Sequence, residues 1–210
     1  MHIKREDQRK KLVEAACALA AERGIAALRT RDIAAAAGVS VGTLHYCFET
    51  KERLLRALYE YLRADMRAAL DGILYGEGAP PRSTATFTLA RLHLLRTPTT
   101  AFRAWRAFTR EALTDDAVRN IVRAHFAEMR AQFEDVLTRE KASGELNAPV
   151  LANPRIAAAV LSSLYEGLVV QWTIDPDAFG LDEYADAIAA VVGADAEDWK
   201  EASERIGSRS

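Results

Sequence analysis

The sequence has few of the residues and segments that mark several protein classes. It contains 2 Cys, 6 Pro and 11 Gly among 210 residues, too few for a disulfide-stabilised, collagen-like or low-complexity chain. Its first residues, Met1 to Lys11, are charged and lack the apolar region of a secretory signal. No apolar run approaches the roughly 20 residues that cross a bilayer. These absences predict a cytoplasmic protein with no membrane partner, whose thiols, Cys17 and Cys47, are reduced.

Sequence motifs for catalysis and metal binding are missing as well. The chain has no Gly-x-Ser-x-Gly elbow, no His-Glu-x-x-His pair and no glycine-rich loop of the kind that holds phosphates. Its two cysteines stand far apart and lack the paired spacing of a zinc site. The sequence therefore predicts a protein that is not an enzyme and that needs no cofactor or metal.

Charge is distributed unevenly along the chain. Residues 1–60 carry 11 Lys and Arg against 8 Asp and Glu, a net charge of +3. The remaining residues carry 17 against 22, a net charge of −5, which gives −2 for the whole chain. A mildly basic head on an acidic body is typical of a DNA-contacting module joined to one that does not touch DNA, although ordinary surface variation also produces a difference this small.

Apolar residues recur almost everywhere at helical spacing, and alternating strand patterns are missing. We predict an all-α protein of about nine helices, with three short helices in residues 1–50 and a connecting helix at about 50–72. The glycine- and proline-rich stretch from Gly72 to Ser83 is the clearest break. Further helices are predicted at about 83–96, 99–113, 115–141, 153–172 and 181–192, followed by a frayed, charged tail after Gly193.

Cap residues delimit the short helices near the N-terminus. Gly24 and Gly38 stand where left-handed helix ends belong. Thr30, Ser40 and Thr50 are placed to accept a hydrogen bond at the start of the next helix. The caps predict two short helices within residues 30–48, joined by a turn that contains Gly38 and Ser40.

Two short helices joined by such a turn fit a helix-turn-helix, whose second helix enters the major groove. A plain helical corner is the alternative. Several residues here suit DNA: Thr43 and Tyr46 offer hydroxyls to phosphates, Gly42 allows close approach, and Lys51 adds its charge to the start of the next helix.

The stretch from Ala21 to Leu55 resembles the N-terminal module of the tetracycline-repressor (TetR) family of transcriptional regulators. The matching segments are Ala21–Gly24, Leu28–Ala34, Ala37–Ser40, Gly42–Leu44 and Phe48–Leu55. His45 stands where Tyr is usual in the family, and Cys47 stands where His is common.

The resemblance implies a helix-turn-helix DNA-binding domain in residues 1–50 and a helical effector-binding and dimerisation domain in residues 51–210. It implies a homodimeric repressor that an unknown small molecule releases from a palindromic operator in double-stranded DNA. Arg31 matches a position that reaches a base in some members. The expected DNA-contacting residues are Arg31, Ser40, Val41, Gly42, Thr43, His45, Tyr46 and Lys51.

The helix that follows Asn153 is apolar on nearly all sides and must be covered on all of them. A partner subunit is the expected cover, because the resemblance implies a four-helix dimer bundle; burial within the chain is the alternative. The expected interface residues are Leu161, Leu164, Leu168, Trp172, Ile188 and Val191.

Bulky side chains concentrate in the middle helices, where they form either a core or a ligand pocket. The candidate ligand-binding residues are Phe102, Trp105, His125, Met129 and Tyr165. Three other functions stay open: a regulator that responds to a protein partner, one that responds to thiol oxidation at Cys47, and a small-molecule-binding protein or enzyme that merely carries a helical head.

Overall fold

The structure, a computed structural model, describes residues 2–75, 83–96, 98–144 and 153–192, together with residues 200 and 204. These residues form α-helices and loops without a strand, which confirms the all-α prediction with about nine helices. The helices of the described part are α1 His2–Arg23, α2 Thr30–Ala36, α3 Val41–Cys47, α4 Lys51–Tyr75, α5 Thr84–Arg96, α6 Thr100–Glu111, α7 Asp116–Ser143, α8 Pro154–Ile174 and α9 Leu181–Val192.

The connecting helix extends further than the sequence predicts. Helix α4 continues through Gly72 to Tyr75, so the break predicted at Gly72 is wrong. A single glycine inside a helix costs about 1 kcal/mol, and burial of Ile73 and Leu74 next to it offsets that cost. The rest of the proline-rich stretch, residues 76–82, and nearly all of the tail after Gly193 lie outside the described residues.

Most of the predicted caps are present. The side-chain oxygens of Ser40 and Thr50 accept hydrogen bonds from the amides of Thr43, at 3.0 Å, and Arg53, at 3.2 Å. Gly24 and Gly38 have φ angles of +85° and +66°, the left-handed conformation that glycine adopts at little cost.

The predicted cap at Thr30 is wrong by one residue. The N-cap of α2 is Arg29, whose side chain makes no capping bond. The carbonyl of Arg29 accepts from the amides of Asp32 and Ile33, both at 3.1 Å. Thr30 is therefore the first helical residue, because the extended backbone ends at Arg29.

The chain divides into two compact units. Unit 1 comprises Met1–Ala68 and Pro98–Ala124, and unit 2 comprises Ala69–Thr97 and His125–Ser210. Both units draw on two separate stretches of sequence. The assignment of DNA binding to residues 1–50 and of effector binding to residues 51–210 is a division by function and stays a prediction.

Unit 1 is built around α1, which packs against α2, α3 and α6. Leu12, Leu44, Phe48 and Phe108 are fully or almost fully buried in its core. Helices α2 and α3 have 7 residues each, too few to be stable alone. Packing against α1 therefore holds the predicted helix-turn-helix in place.

Unit 2 has α5 at its centre. Every residue of α5 from Thr84 to Leu95 is buried except His93, and the helix contacts both α8 and α9. The Glu140 carboxylate on α7 accepts from the amide of Thr84 at 2.8 Å and from its hydroxyl, so it caps the buried start of α5. A helix enclosed in this way places its polar side chains inside the unit.

One described helix, α8, is long and apolar enough to cross a membrane by length and composition, and a third of its apolar window is buried. The expectation that no segment approaches this length is therefore too strict. A core helix of a protein that never enters a membrane passes the same test, so the finding is weak.

The two glycine environments yield a paired prediction for stability. Gly38→Ala should lower the free energy of unfolding by about 1 kcal/mol, because alanine is strained at positive φ. Gly72→Ala, in a helix interior with open space around the added methyl group, should raise it by about 0.5–1 kcal/mol. Urea unfolding followed by circular dichroism measures both. Equal effects of the two substitutions would contradict the left-handed turn at Gly38.

Candidate functional site

Helices α2 and α3 meet at a tight turn on the surface of unit 1. The amide of Gly38 donates to the carbonyl of Ala35 at 3.1 Å, and the amide of Val39 donates to the carbonyl of Ala34 at 2.9 Å. The Ser40 cap then starts α3. This geometry is that of a helix-turn-helix, with Leu44 and Cys47 facing the core.

The structure places the expected DNA-contacting residues in two environments. Thr43 is half-buried, and its hydroxyl lies 2.9 Å from that of Ser40. Its hydroxyl is therefore engaged in the cap in the free protein. The other seven are exposed on unit 1, as a nucleic-acid interface requires: Arg31, Ser40, Val41, Gly42, His45, Tyr46 and Lys51.

Two arginines of α1 stabilise the C-terminal end of α3. Arg9 Nη1 donates to the carbonyl of Cys47 at 2.8 Å, and its guanidinium lies 4.4 Å from the ring centroid of Phe48. Arg5 Nη2 donates to the carbonyl of Tyr46 at 3.4 Å and lies over the Tyr46 ring. The last carbonyls of a helix lack partners within it and carry partial negative charge, so cations bind there favourably.

Sequence reasoning missed Arg5 and Arg9. The available signal was their spacing of four residues, which places both on one face of α1. Nothing in that spacing says that the face meets the end of α3.

Both thiols are buried. Cys17 is 4% exposed and Cys47 is 3% exposed, and neither forms a disulfide. Burial raises the pKa of Cys17 to about 11, with a further increase from Asp65 that Arg103 opposes. These environments disfavour a thiol that reacts with oxidants.

Unit 2 contains a narrow cleft between α5, α7, α8 and α9. Its cavity is about 10 Å³, room for about one water molecule, and its mouth is open to solvent. The lining is mainly apolar and includes two tyrosines and an arginine: Thr88, Arg91, Leu92, Phe133, Leu161, Leu164, Tyr165, Leu168, Tyr184 and Ile188.

The cleft gathers few of the residues expected to bind a ligand. Tyr165 lines it. Phe102 and Trp105 are core residues of unit 1, where the Trp105 ring lies 5.9 Å from that of Tyr59. In unit 2, Met129 is buried and His125 packs beside Phe126, and neither is among the lining residues.

Arg91 is the charged residue of the cleft, and sequence reasoning missed it. Its side chain is 6% exposed, and Nη2 donates to Gln132 Oε1 at 2.9 Å. The guanidinium lies 5.3 Å and 5.7 Å from the ring centroids of Phe133 and Tyr165. Burial lowers the pKa of Arg91, while Tyr165 and Glu166 act to raise it. The available signal was an arginine within the mainly apolar run Leu89–Leu95 of α5.

The expected interface residues fall into a buried group and a more exposed group. Leu161, Leu168 and Ile188 are buried within the single chain. Leu164 and Trp172 are half-buried, and Val191 is 43% exposed. The apolar side chains that α8 leaves exposed recur at helical spacing along one face: Ile156, Val160, Val170 and Ile174.

Within the part of the chain that the structure describes, no three His, Cys, Asp or Glu side chains come together as metal ligands would. Among the described residues, the exposed surface of unit 1 and the cleft of unit 2 are the candidate sites that this geometry supports.

Comparison with known proteins identifies the family. Residues 12–58 match the model described as bacterial regulatory proteins, tetR family, and residues 85–194 match that of the BetI-type transcriptional repressor C-terminal region. The chain belongs to the TetR family. The two matches cover the helix-turn-helix and most of the C-terminal part of the chain. They confirm the resemblance to the TetR family that the residues from Ala21 to Leu55 indicate.

Individual relatives are distant but similar along most of their length. The HTH-type transcriptional regulator BetI of Pectobacterium carotovorum is 25% identical over 182 residues, covering 84% of this chain and 87% of the relative. A TetR-family regulator structure from Rhodococcus has a TM-score of 0.72 at 24% identity, covering 89% of this chain and 97% of its own.

The structure of NalD from Pseudomonas aeruginosa has a TM-score of 0.67 at 25% identity, covering 89% of this chain and 94% of its own. NalD is described as the secondary repressor of the MexAB-OprM multidrug efflux pump.

This TetR-family protein is thus a DNA-binding transcriptional regulator with a ligand-binding C-terminal domain. Its relatives are transcription regulators and not enzymes, which removes the enzyme alternative. Members of the family bind DNA operators, act as dimers and respond to small molecules.

The buried thiols yield a prediction about reactivity. Native protein treated with iodoacetamide at pH 8 should stay unmodified over the time in which urea-unfolded protein is alkylated at both cysteines, because both sulfurs are buried and the pKa of Cys17 is raised as well. Mass spectrometry counts the adducts. Rapid native alkylation of Cys47 would instead support regulation by thiol oxidation.

Proposed function

We propose that this protein represses transcription by binding a palindromic operator as a homodimer, and that a small molecule in the unit 2 cleft releases it. The observation that carries the proposal is the presence, in one chain, of an exposed, capped helix-turn-helix and a largely apolar cleft with a charged residue. Operator binding requires access to the bacterial chromosome, so the proposal places the protein in the cytoplasm.

Dimerisation supplies the specificity that one short helix lacks. Helix α3 has 7 residues, enough to read only a few base pairs. A two-fold dimer doubles the site and requires an inverted repeat, with the two recognition helices about 34–36 Å apart or at a multiple of that distance.

The exposed face of α8 is the surface that best fits a second copy. Val160 and Val170 are 37% and 47% exposed on it, and Ser163 and Gly167 between them are small enough for close packing. Val191 extends the apolar surface on α9. Leu161, Leu168 and Ile188 then serve inside the protomer, where they line the cleft.

Release needs only modest coupling between the two sites. A hundredfold loss of operator affinity corresponds to about 2.7 kcal/mol of differential ligand affinity between the DNA-binding state and the released state. The ligand does not have to touch DNA, because it has only to favour the state in which the two recognition helices are wrongly spaced.

Arg31 and Lys51 yield a paired prediction for DNA recognition. Arg31→Ala should cost about 1–3 kcal/mol on the preferred site and relax the choice of base at one position per half-site, because a guanidinium reads guanine through two hydrogen bonds. Lys51→Ala should weaken binding about equally on all sequences and lower the salt dependence of log affinity by about one unit. Fluorescence anisotropy on operator and scrambled DNA over a salt series measures both. A uniform loss for Arg31→Ala would assign it to a phosphate.

The interface yields a test of the proposed mechanism. Val160→Glu combined with Val170→Glu should give a folded monomer, because both positions are exposed, and specific binding to the promoter region next to the protein's own gene should be lost. Leu113→Glu, at an apolar position of unit 1 that is 78% exposed, is the matched control and should remain dimeric. Sedimentation equilibrium and gel-shift assays measure the two properties. A monomer that still bound the full site with native affinity would contradict the mechanism.

A further inference from the structure

We infer that the cleft of unit 2 takes a small, apolar monocarboxylate, whose carboxylate binds the Arg91 guanidinium. This inference rests on the proposed function, in which the cleft is the effector site, and it adds the chemical class of the ligand. It follows from the charge, the hydrogen bonds and the size of the cleft.

Within the described residues, Arg91 is a buried cation without an ion-pair partner. Its one hydrogen-bond acceptor is the neutral amide of Gln132, and Nε has no partner. An arginine stays protonated even where burial lowers its pKa, and a buried charge without an ion-pair partner costs several kcal/mol. The rings of Phe133 and Tyr165 offset part of that cost by cation–π attraction. A bound anion would offset the rest.

The carboxylate that acts on Arg91 is that of Glu166, which raises the pKa of Arg91. The ion pairs of the described residues include Arg139 with Asp135 at 2.7 Å on the surface of unit 2 and do not include Glu166 with Arg91. Arg91 therefore keeps a donor for a ligand.

Two hydroxyl groups of the cleft donate to backbone carbonyls. The hydroxyl of Tyr184 donates to the carbonyl of Leu164 at 3.2 Å, and that of Thr88 donates to the carbonyl of Thr84 at 2.8 Å. Nε of Arg91 is buried and lacks a hydrogen-bond partner among the described residues, so a ligand that widens the cleft can use it as a donor. Arginine and carboxylate form short, charge-assisted hydrogen bonds that are about twice as strong as neutral ones.

The rest of the lining determines the body of the ligand. Leu92, Leu161 and Leu168 present apolar surface, so the remainder of the molecule is hydrocarbon or aromatic. Arg91 is the single basic residue among the lining residues, which suits one negative charge better than a phosphate. In the structure the cleft has room for little more than a water molecule, about 10 Å³, so a ligand has to widen it, which favours a small molecule.

The first experiment uses the unmodified protein and matched pairs of ligands. Benzoate, phenylacetate, hexanoate and octanoate are titrated by calorimetry beside the corresponding amides, which have nearly the same shape without the charge. We expect at least one carboxylate to bind saturably and at least about tenfold more tightly than its amide. Equal affinities within every pair, or no saturable binding of any carboxylate, would overturn the inference.

The second experiment assigns the effect to Arg91. Arg91→Met keeps an unbranched apolar stem and removes the charge, and it should weaken the best carboxylate by at least about tenfold while leaving its amide within about twofold. Arg139→Met makes the same change at an exposed position of unit 2 and should alter neither affinity. Unchanged carboxylate binding by a folded Arg91→Met protein would overturn the assignment. If this variant fails to unfold cooperatively, the ligand pairs on the unmodified protein decide alone.

A gel-shift assay on the promoter DNA separates this inference from the proposed function. A carboxylate that binds through Arg91 but leaves the DNA complex intact would support the ligand class and contradict release by the cleft. An amide that binds and releases DNA, with no effect of its carboxylate, would support release and overturn the ligand class.

Discussion

The position of α3 is the constraint on which DNA recognition depends. A helix of 7 residues cannot hold itself in place, so groups outside it must fix both of its ends. Ser40 caps its start, Arg9 of α1 binds its last carbonyl, and Leu44 anchors its middle in the core. The exposed face is thus presented by a rigid support, and a change in α1 can alter DNA binding without touching DNA.

Unit 2 is organised around α5, a helix that is almost wholly buried. Because α5 is enclosed, its polar residues must find partners inside the protein. Thr84 does so through Glu140, whereas Arg91 finds only a neutral amide and aromatic rings. The Nε donor of Arg91 without an acceptor is the physical basis for assigning a ligand to the cleft. A regulator gains from this arrangement, because a cation that is incompletely paired in the free state is a source of differential affinity.

Sequence reasoning succeeded where the cause is local and failed where it is tertiary. The Ser40 cap and the turn at Gly38 depend on residues a few positions apart, and they were predicted. The end of α4 was not predicted, because burial of Ile73 and Leu74 outweighs the low helix propensity of Gly72. The cleft could not be predicted, since the burial of Arg91 depends on α7 and α8. An apolar helix such as α8 does not reveal which stripe faces its own chain, so the sequence could not show that Leu168 is buried inside the protomer.

The central claim is that two copies of this helix-turn-helix read DNA together at a fixed separation. Selection of binding sites from random double-stranded DNA by the purified full-length protein tests it most directly. The account predicts an enriched inverted repeat whose half-site centres lie about 10–10.5 base pairs apart, or a multiple of that. Enrichment of a single, unrepeated half-site, or of no sequence at all, would contradict it.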